Sequence, residues 1–263
     1  MTHLQSLLIR LPSPNFLPVA DSIELDPLSG ECVVLPTLAC LKYQGSSVYL
    51  DSLVARIYSP HLMDIEITFF EPMFDVSTLR KFIDRIEVQN SHRQADILFF
   101  ENSISIRLTQ PTLTCLKLQV FCNVPSQQLF SVARFASFLF YVEDVRIEAA
   151  GLSKRLPGTL VGGGRWMELI IRPFRGAKWL HLAGDFSTDI VFALYRSDMR
   201  RETVLPAMHK LCIREPESYC ASLRMAVVSF LVPRWLSGHL IAVEYEDSGY
   251  ILCPVPGPHA NLF

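Results

Sequence analysis

The sequence predicts an α/β protein built as an irregular repeat solenoid, a curved parallel sheet with helices on its convex side. Three observations carry this expectation. An L-x-x-L-x-L apolar pattern recurs along the chain, its strand-like triplets alternate apolar with polar side chains, and segments of helical spacing lie between the copies.

The copies begin at Leu4, Leu7, Ile9, then Leu38, Leu41, Tyr43, then Leu62, Ile65, Ile67. They continue as Ile83, Ile86, Val88, as Leu113, Leu116, Leu118, and as Val142, Val145, Ile147. Looser copies are Ala177, Leu180, Leu182 and Met208, Leu211, Ile213, and a ninth is Ile241, Val243, Tyr245. Their spacing of about 21 to 35 residues is wider than that of regular leucine-rich repeats. In a strand, neighbouring side chains point to opposite faces, so the residue between the last two apolar positions belongs on the other face. It is polar in most copies: Lys42, Glu66, Glu87, Lys117, Arg146 and His181, with Leu8 and Cys212 as exceptions. The residue after the triplet is mostly polar too, as in Arg10, Gln44, Thr68, Gln89, Gln119, Glu148 and Arg214, with Ala183 as the exception.

Between strands, Leu50, Leu53, Val54 and Ile57 have the i, i+3, i+4, i+7 spacing of one helical face. Leu129, Val132, Ala133 and Ala136 repeat it, and Leu223, Val227, Phe230 and Leu231, at i, i+4, i+7, i+8, also share one helical face ahead of Pro233. Leu79, Phe82, Ile83 and Ile86 do so briefly, running into the fourth strand. Strands alternating with helices imply parallel pairing through crossovers, and unit stacked on unit gives a solenoid. An ordinary α/β domain with the same alternation stays open as the alternative. Two segments break the rhythm: a β-hairpin near 95–108 around Glu101-Asn102, and a proline-containing loop over Asn15 to Leu35. The repeat array is expected over 1–246, followed by a proline-containing C-terminal tail over 247–263, in which Cys253 to Phe263, with Pro254, Pro256 and Pro258, is expected to be extended or disordered.

Composition narrows the function classes. The chain has 263 residues, 50% hydrophobic and 19% charged, with a formal net charge of -2. There is no basic excess to draw nucleic acid, and no apolar run reaches the roughly 18 residues of a membrane span. Met1 to Arg10 lacks the features of a signal peptide, so a cytoplasmic or nuclear protein is expected. The seven cysteines show no C-x-x-C spacing and read as free thiols. No cofactor or metal is signalled.

Several groups invite a chemical reading. Gly162-Gly163-Gly164 precedes a helical segment at Trp166, but it lacks any phosphate-loop sequence and reads as a flexible turn. His181, Lys210 and Cys212 fall near one another on the polar face, where strand alternation alone accounts for them. Glu66 and Glu87 could face each other, with Lys42 and Arg85 offering charge pairing. Ser52 and Ser137 lack a nucleophile-elbow context. Trp179 falls on the polar face beside Lys178 and near Lys210, as a binding hot spot would. The reading is therefore a protein-binding surface and not an enzyme. Its expected residues are Lys42, Asp64, Glu66, Arg85, Glu87, Lys117, Asp144, Arg146, Trp179, His181 and Lys210.

The chain resembles a family through Val34-Leu-Pro-Thr-Leu-Ala-Cys-Leu-Lys-Tyr-Gln-Gly45, Tyr49-Leu-Asp-Ser-Leu-Val-Ala-Arg-Ile57 and Ile67-Thr-Phe-Phe70. Trp166-Met-Glu-Leu-Ile-Ile-Arg-Pro-Phe174, Val204-Leu-Pro-Ala-Met-His-Lys-Leu211 and Leu236-Ser-Gly-His-Leu-Ile-Ala-Val243 extend the likeness. Together these resemble the leucine-rich-repeat half of the F-box-type proteins of mushroom-forming fungi. The resemblance implies substrate recognition for ubiquitination. Such proteins also carry an F-box that docks on a ubiquitin-ligase adaptor, and none is visible here, so adaptor binding by this chain is not expected. An uncapped first strand, with Leu4, Leu7 and Ile9, would favour self-association.

Overall fold

Alternation of buried and exposed side chains sets the architecture seen in the computed structural model. It describes residues 3–12, 32–70, 76–85, 93–109, 115–122, 125–149, 170–184, 186–200, 202, 204–214, 221–246 and 250–252. The protein is mixed α/β with mostly parallel strands. It divides into two compact units, 1–95 with 102–138 and 96–101 with 139–263.

In the first unit, β1 (Ser6–Arg10), β3 (Cys40–Gly45), β5 (Asp64–Phe69) and β8 (Cys115–Phe121) form a parallel ladder in that order. A short pair, β2 (Val33–Val34) and β4 (Ile57–Tyr58), lies at the end of the expected 15–35 loop. Helix α1 (Ser47–Arg56) follows β3, and the Ser46 hydroxyl caps it by accepting from the Val48 N–H. The inward sides of the ladder are sealed: Leu41, Ile65, Leu116, Tyr43, Ile67 and Leu118 are all buried. Each fully buried side chain of this size contributes about 1.5–3 kcal/mol through the water it leaves. The same ladder row in β1 is only half-buried, at Leu7 and Ile9.

At the fourth apolar copy the expected helical face is helix α2 (Ser77–Arg85), which carries Leu79, Phe82 and Ile83, while the strand residues expected after it, Ile86, Glu87 and Val88, fall outside the described residues. Leu79, Phe82 and Ile83 sit at helical spacing and are 1%, 1% and 5% exposed, one sealed helical face. β5 pairs directly with β8, so the strand expected from the fourth copy does not stand between them. The expected hairpin is present as β6 (Gln94–Phe100) and β7 (Ser103–Thr109), joined by the turn Glu101-Asn102. A bond from the Arg93 N–H to the Thr109 carbonyl (3.2 Å) ties its base, and β7 runs antiparallel to β8. Helices α3 (Pro125–Arg134) and α4 (Ala136–Leu139) follow β8.

The second unit repeats the logic. β9 (Asp144–Ala149), β10 (Trp179–Ala183), β11 (Lys210–Arg214) and β12 (Ala242–Tyr245) are parallel neighbours in sequence order. Val145, Leu180, Leu211 and Val243 form one buried row, and Ile147, Leu182, Ile213 and Tyr245 the next. The start of the segment expected as a C-terminal tail contributes β13 (Tyr250–Leu252), antiparallel to β12. Beyond residue 252 that tail lies outside the described residues, as do Gly162, Gly163, Gly164 and Trp166.

Helices α5 (Phe186–Met199) and α6 (Ala221–Leu236) pack on each other. The helix expected from Leu223, Val227, Phe230 and Leu231 runs through Pro233 to Leu236, and Arg234 in its last turn is held on several sides. Its guanidinium is nearly sealed from solvent and grips Asp198 through Nε to Oδ2 (2.6 Å) and Nη2 to Oδ1 (2.8 Å). It also donates to the carbonyls of Leu205 (3.3 Å) and Val204 and lies 4.8 Å from the centroid of the Phe230 ring. Leu205 has a φ of 57°, a left-handed backbone that a branched side chain resists, and its carbonyl is among those held by Arg234.

Candidate functional site

Each unit presents a polar sheet face whose geometry follows from strand register. In the first unit, Lys42, Glu66 and Lys117 are aligned on β3, β5 and β8. Glu66 pairs with both cations, at 3.0 Å to Lys42 and 2.7 Å to Lys117. Hydrogen bonds from Lys117 and Lys42 hold its carboxyl below the usual range, and Glu66 in turn raises Lys42. One row away, Cys40, Asp64 and Cys115 are aligned, with the Cys40 thiol 3.7 Å from Asp64 Oδ2. This face is a mixed-charge ladder that neutralises itself in water.

The second unit arranges a different chemistry. Parallel register sets Arg146, His181, Cys212 and Glu244 side by side across β9 to β12. Asp144, Trp179 and Lys210 form the row before, and Glu148, Ala183 and Arg214 the row after. Glu246, just past β12, continues that last row, because its N–H bonds to the Ile213 carbonyl at 2.9 Å.

His181 is the hub. Its Nε2 lies 3.3 Å from Asp144 Oδ1, and its Nδ1 lies 3.3 Å from Glu246 Oε1. Asp144 Oδ1 is shut off from solvent and meets the imidazole as an ion-pair contact outside hydrogen-bond geometry. The Asp144 carboxylate at Nε2, reinforced by Cys212 and Glu246, pushes the imidazole up to about 10 against the opposing effect of burial. Burial pushes Glu246 up, but bonds from His181 and Arg214 outweigh it and hold the carboxyl low. Arg214 takes the other oxygen, Glu246 Oε2, at 3.0 Å. Cys212 is on the polar face yet only 2% exposed, because His181 and Glu244 flank it. Its thiol is 3.9 Å from Glu244 Oε2, and Glu244 is ion-paired with Lys210, whose ammonium it raises. An open depression of about 170 Å³ lies over the end of this ladder, lined by Arg146, Glu148, His181 and Arg214 among others.

Trp179 projects from the same face, 42% exposed, next to the Lys178–Glu143 ion pair at 2.9 Å. Of the residues expected on a polar face, Lys42, Asp64, Glu66 and Lys117 come together in the first unit. Asp144, Arg146, Trp179, His181 and Lys210 come together in the second. Arg85 does not belong to either. It ends helix α2, where its guanidinium donates to the Val54 carbonyl at 2.7 Å and lies over the Phe82 ring. Glu87 lies outside the described residues. Sequence reasoning found no third group for the His181–Cys212 pair, whereas the structure supplies Asp144 and Glu246. Strand parity contained the signal: Glu246 follows the ninth triplet as Arg214 follows the eighth. In comparisons with known proteins, no family model, curated protein or solved structure matches this chain.

Proposed function

We propose that the chain is a protein-binding module, built from leucine-rich-repeat-like solenoid segments, that recognises a polypeptide partner with its polar sheet face. One observation carries the reading. Trp179, a large ring left 42% exposed, stands on a rigid strand among fixed charges of both signs. Rings in such settings dominate binding energy, and the surrounding charges confer selectivity. In-register apolar rows beneath the face support the solenoid reading, since each strand adds one rung to a shared core. The resemblance to F-box-type proteins supports a partner destined for ubiquitination.

The test is affinity capture from native extract with wild type and Trp179→Ala compared quantitatively. A partner engaged here loses about 30-fold or more in retention with Trp179→Ala, as expected for a hot spot of about 2 kcal/mol. Equal retention by both forms rules out this face.

A second reading rests on β1. Its ladder residues Leu7 and Ile9 are half-buried while their neighbours Leu41 and Tyr43 are sealed, and Leu8 is 53% exposed. Such an edge strand suits pairing with a second copy. Sedimentation of wild type and Leu8→Lys distinguishes the two: a dimer lost in the variant supports self-association, and a monomer in both removes it.

A further inference from the structure

We propose that His181, Cys212 and Glu246 form a binding site for a zinc-like divalent cation, with Asp144 and Arg214 as its supporting outer residues. The donor atoms of these three side chains lie within 4.8 Å of one another. His181 Nδ1 and Glu246 Oε1 are 3.3 Å apart, which matches the edge of a tetrahedron with ligand bonds of about 2.0–2.2 Å. Nitrogen, thiolate sulfur and carboxylate oxygen together favour zinc over magnesium or calcium, which prefer all-oxygen shells.

The surroundings are organised as a metal site requires. A ligating imidazole is normally steered by a carboxylate on its other nitrogen, and ligating carboxylates are hydrogen-bonded in turn. Here Asp144 Oδ1, buried and without a hydrogen bond, faces Nε2, leaving Nδ1 turned toward Cys212 and Glu246. Arg214 occupies Glu246 Oε2, so Oε1 is left to point inward. The flanking ammonium of Lys210 is closed off by Glu244, which limits its repulsion of a cation, while Arg214 holds the outer oxygen of Glu246 in place. Arg146 and Glu148 line the depression above the ladder together with His181 and Glu246 of the cluster, which gives a cation a path in from solvent.

Charge and protons balance. Thiolate and carboxylate together carry the two negative charges that neutralise a divalent ion, while the imidazole is neutral. On binding, the Nδ1 proton of His181 and the thiol proton of Cys212 pass to solvent, so affinity rises with pH.

Cobalt(II) titration of the full chain, followed by zinc displacement, tests the site. The expected result is a saturable thiolate-to-cobalt charge-transfer band at one equivalent, bleached by zinc. It should vanish in Cys212→Ser and His181→Ala and persist in Cys40→Ser and Cys115→Ser, the aligned thiols of the first unit. Asp144→Asn should weaken binding by about 10- to 100-fold. If Cys212→Ser does not fold, Glu246→Gln, on the exposed side of the cluster, serves instead and should also weaken binding. No saturable band at millimolar cobalt, or a band that survives Cys212→Ser but is lost with Cys40→Ser or Cys115→Ser, overturns the proposal.

Discussion

The middle polar row reads Lys42, Glu66, Lys117 in the first unit and Arg146, His181, Cys212, Glu244 in the second. Both rows arise from the same strand alternation over the same kind of sealed apolar row, yet they differ in consequence. In the first, flexible ammonium groups 45% and 38% exposed share one carboxylate, and water screens the arrangement. In the second, a ring and a thiol with short reach occupy the middle, between Arg146 and Glu244, and the carboxylates of Asp144 and Glu246 reach the ring from the rows on either side. Register decides which positions meet, while side-chain length and burial decide whether the meeting has chemical value.

The contrast predicts unequal costs when charges are removed. The largest belongs to Arg234, the buried anchor of the second unit. Arg234→Met leaves Asp198 without its cation and should lower unfolding stability by about 3–5 kcal/mol, read as a shifted urea midpoint at constant slope. Adding Asp198→Leu should recover much of that loss, and a double variant as weak as the single one breaks the account.

A smaller effect concerns His181. Its folded pKa of about 10 stands above the ordinary 6.5, so its charged form stabilises the fold. That contribution is fully present below pH 6.5 and is lost as pH rises toward 10. Wild type should therefore lose stability relative to His181→Gln between those values, and the imidazole resonance should titrate well above 6.5. In Asp144→Asn the midpoint should fall back toward the ordinary range. A wild-type midpoint near 6.5 would show that Asp144 and Glu246 do not hold the proton.

The smallest effect is expected where the charges look most regular. Glu66→Gln removes both ion pairs of the first face, and because solvent screens them the loss should stay within about 1 kcal/mol in thermal unfolding. A loss comparable to that at Arg234 would erase the distinction between the two faces.

Much of the fold was legible in the sequence because its two-residue period is strong. Triplets such as Leu41-Lys42-Tyr43 and Leu180-His181-Leu182 state both the sealed side and the wet side, and both became strands. At the fourth copy the helical spacing of Leu79, Phe82 and Ile83 was legible, but the strand expected after it does not separate β5 from β8. Arg85 lies at the end of that helix and not on a polar sheet face. The candidate site was half legible. Parity placed His181 beside Cys212, but the converging geometry depends on Asp144 one row back and Glu246 one row ahead, which parity orders without bringing side chains into reach. The Arg234–Asp198 grip had no sequence signal, since neither residue belongs to a repeat triplet.

The left-handed turn at Leu205 has a consequence for how the second unit comes apart. Because Arg234 of α6 clasps the carbonyls of Val204 and Leu205, helix and turn are latched together only a few residues before β11 begins. Fraying of α6 would release that latch, and the amides of Lys210 to Arg214 would then exchange with solvent together with those of the helix, as one cooperative opening unit.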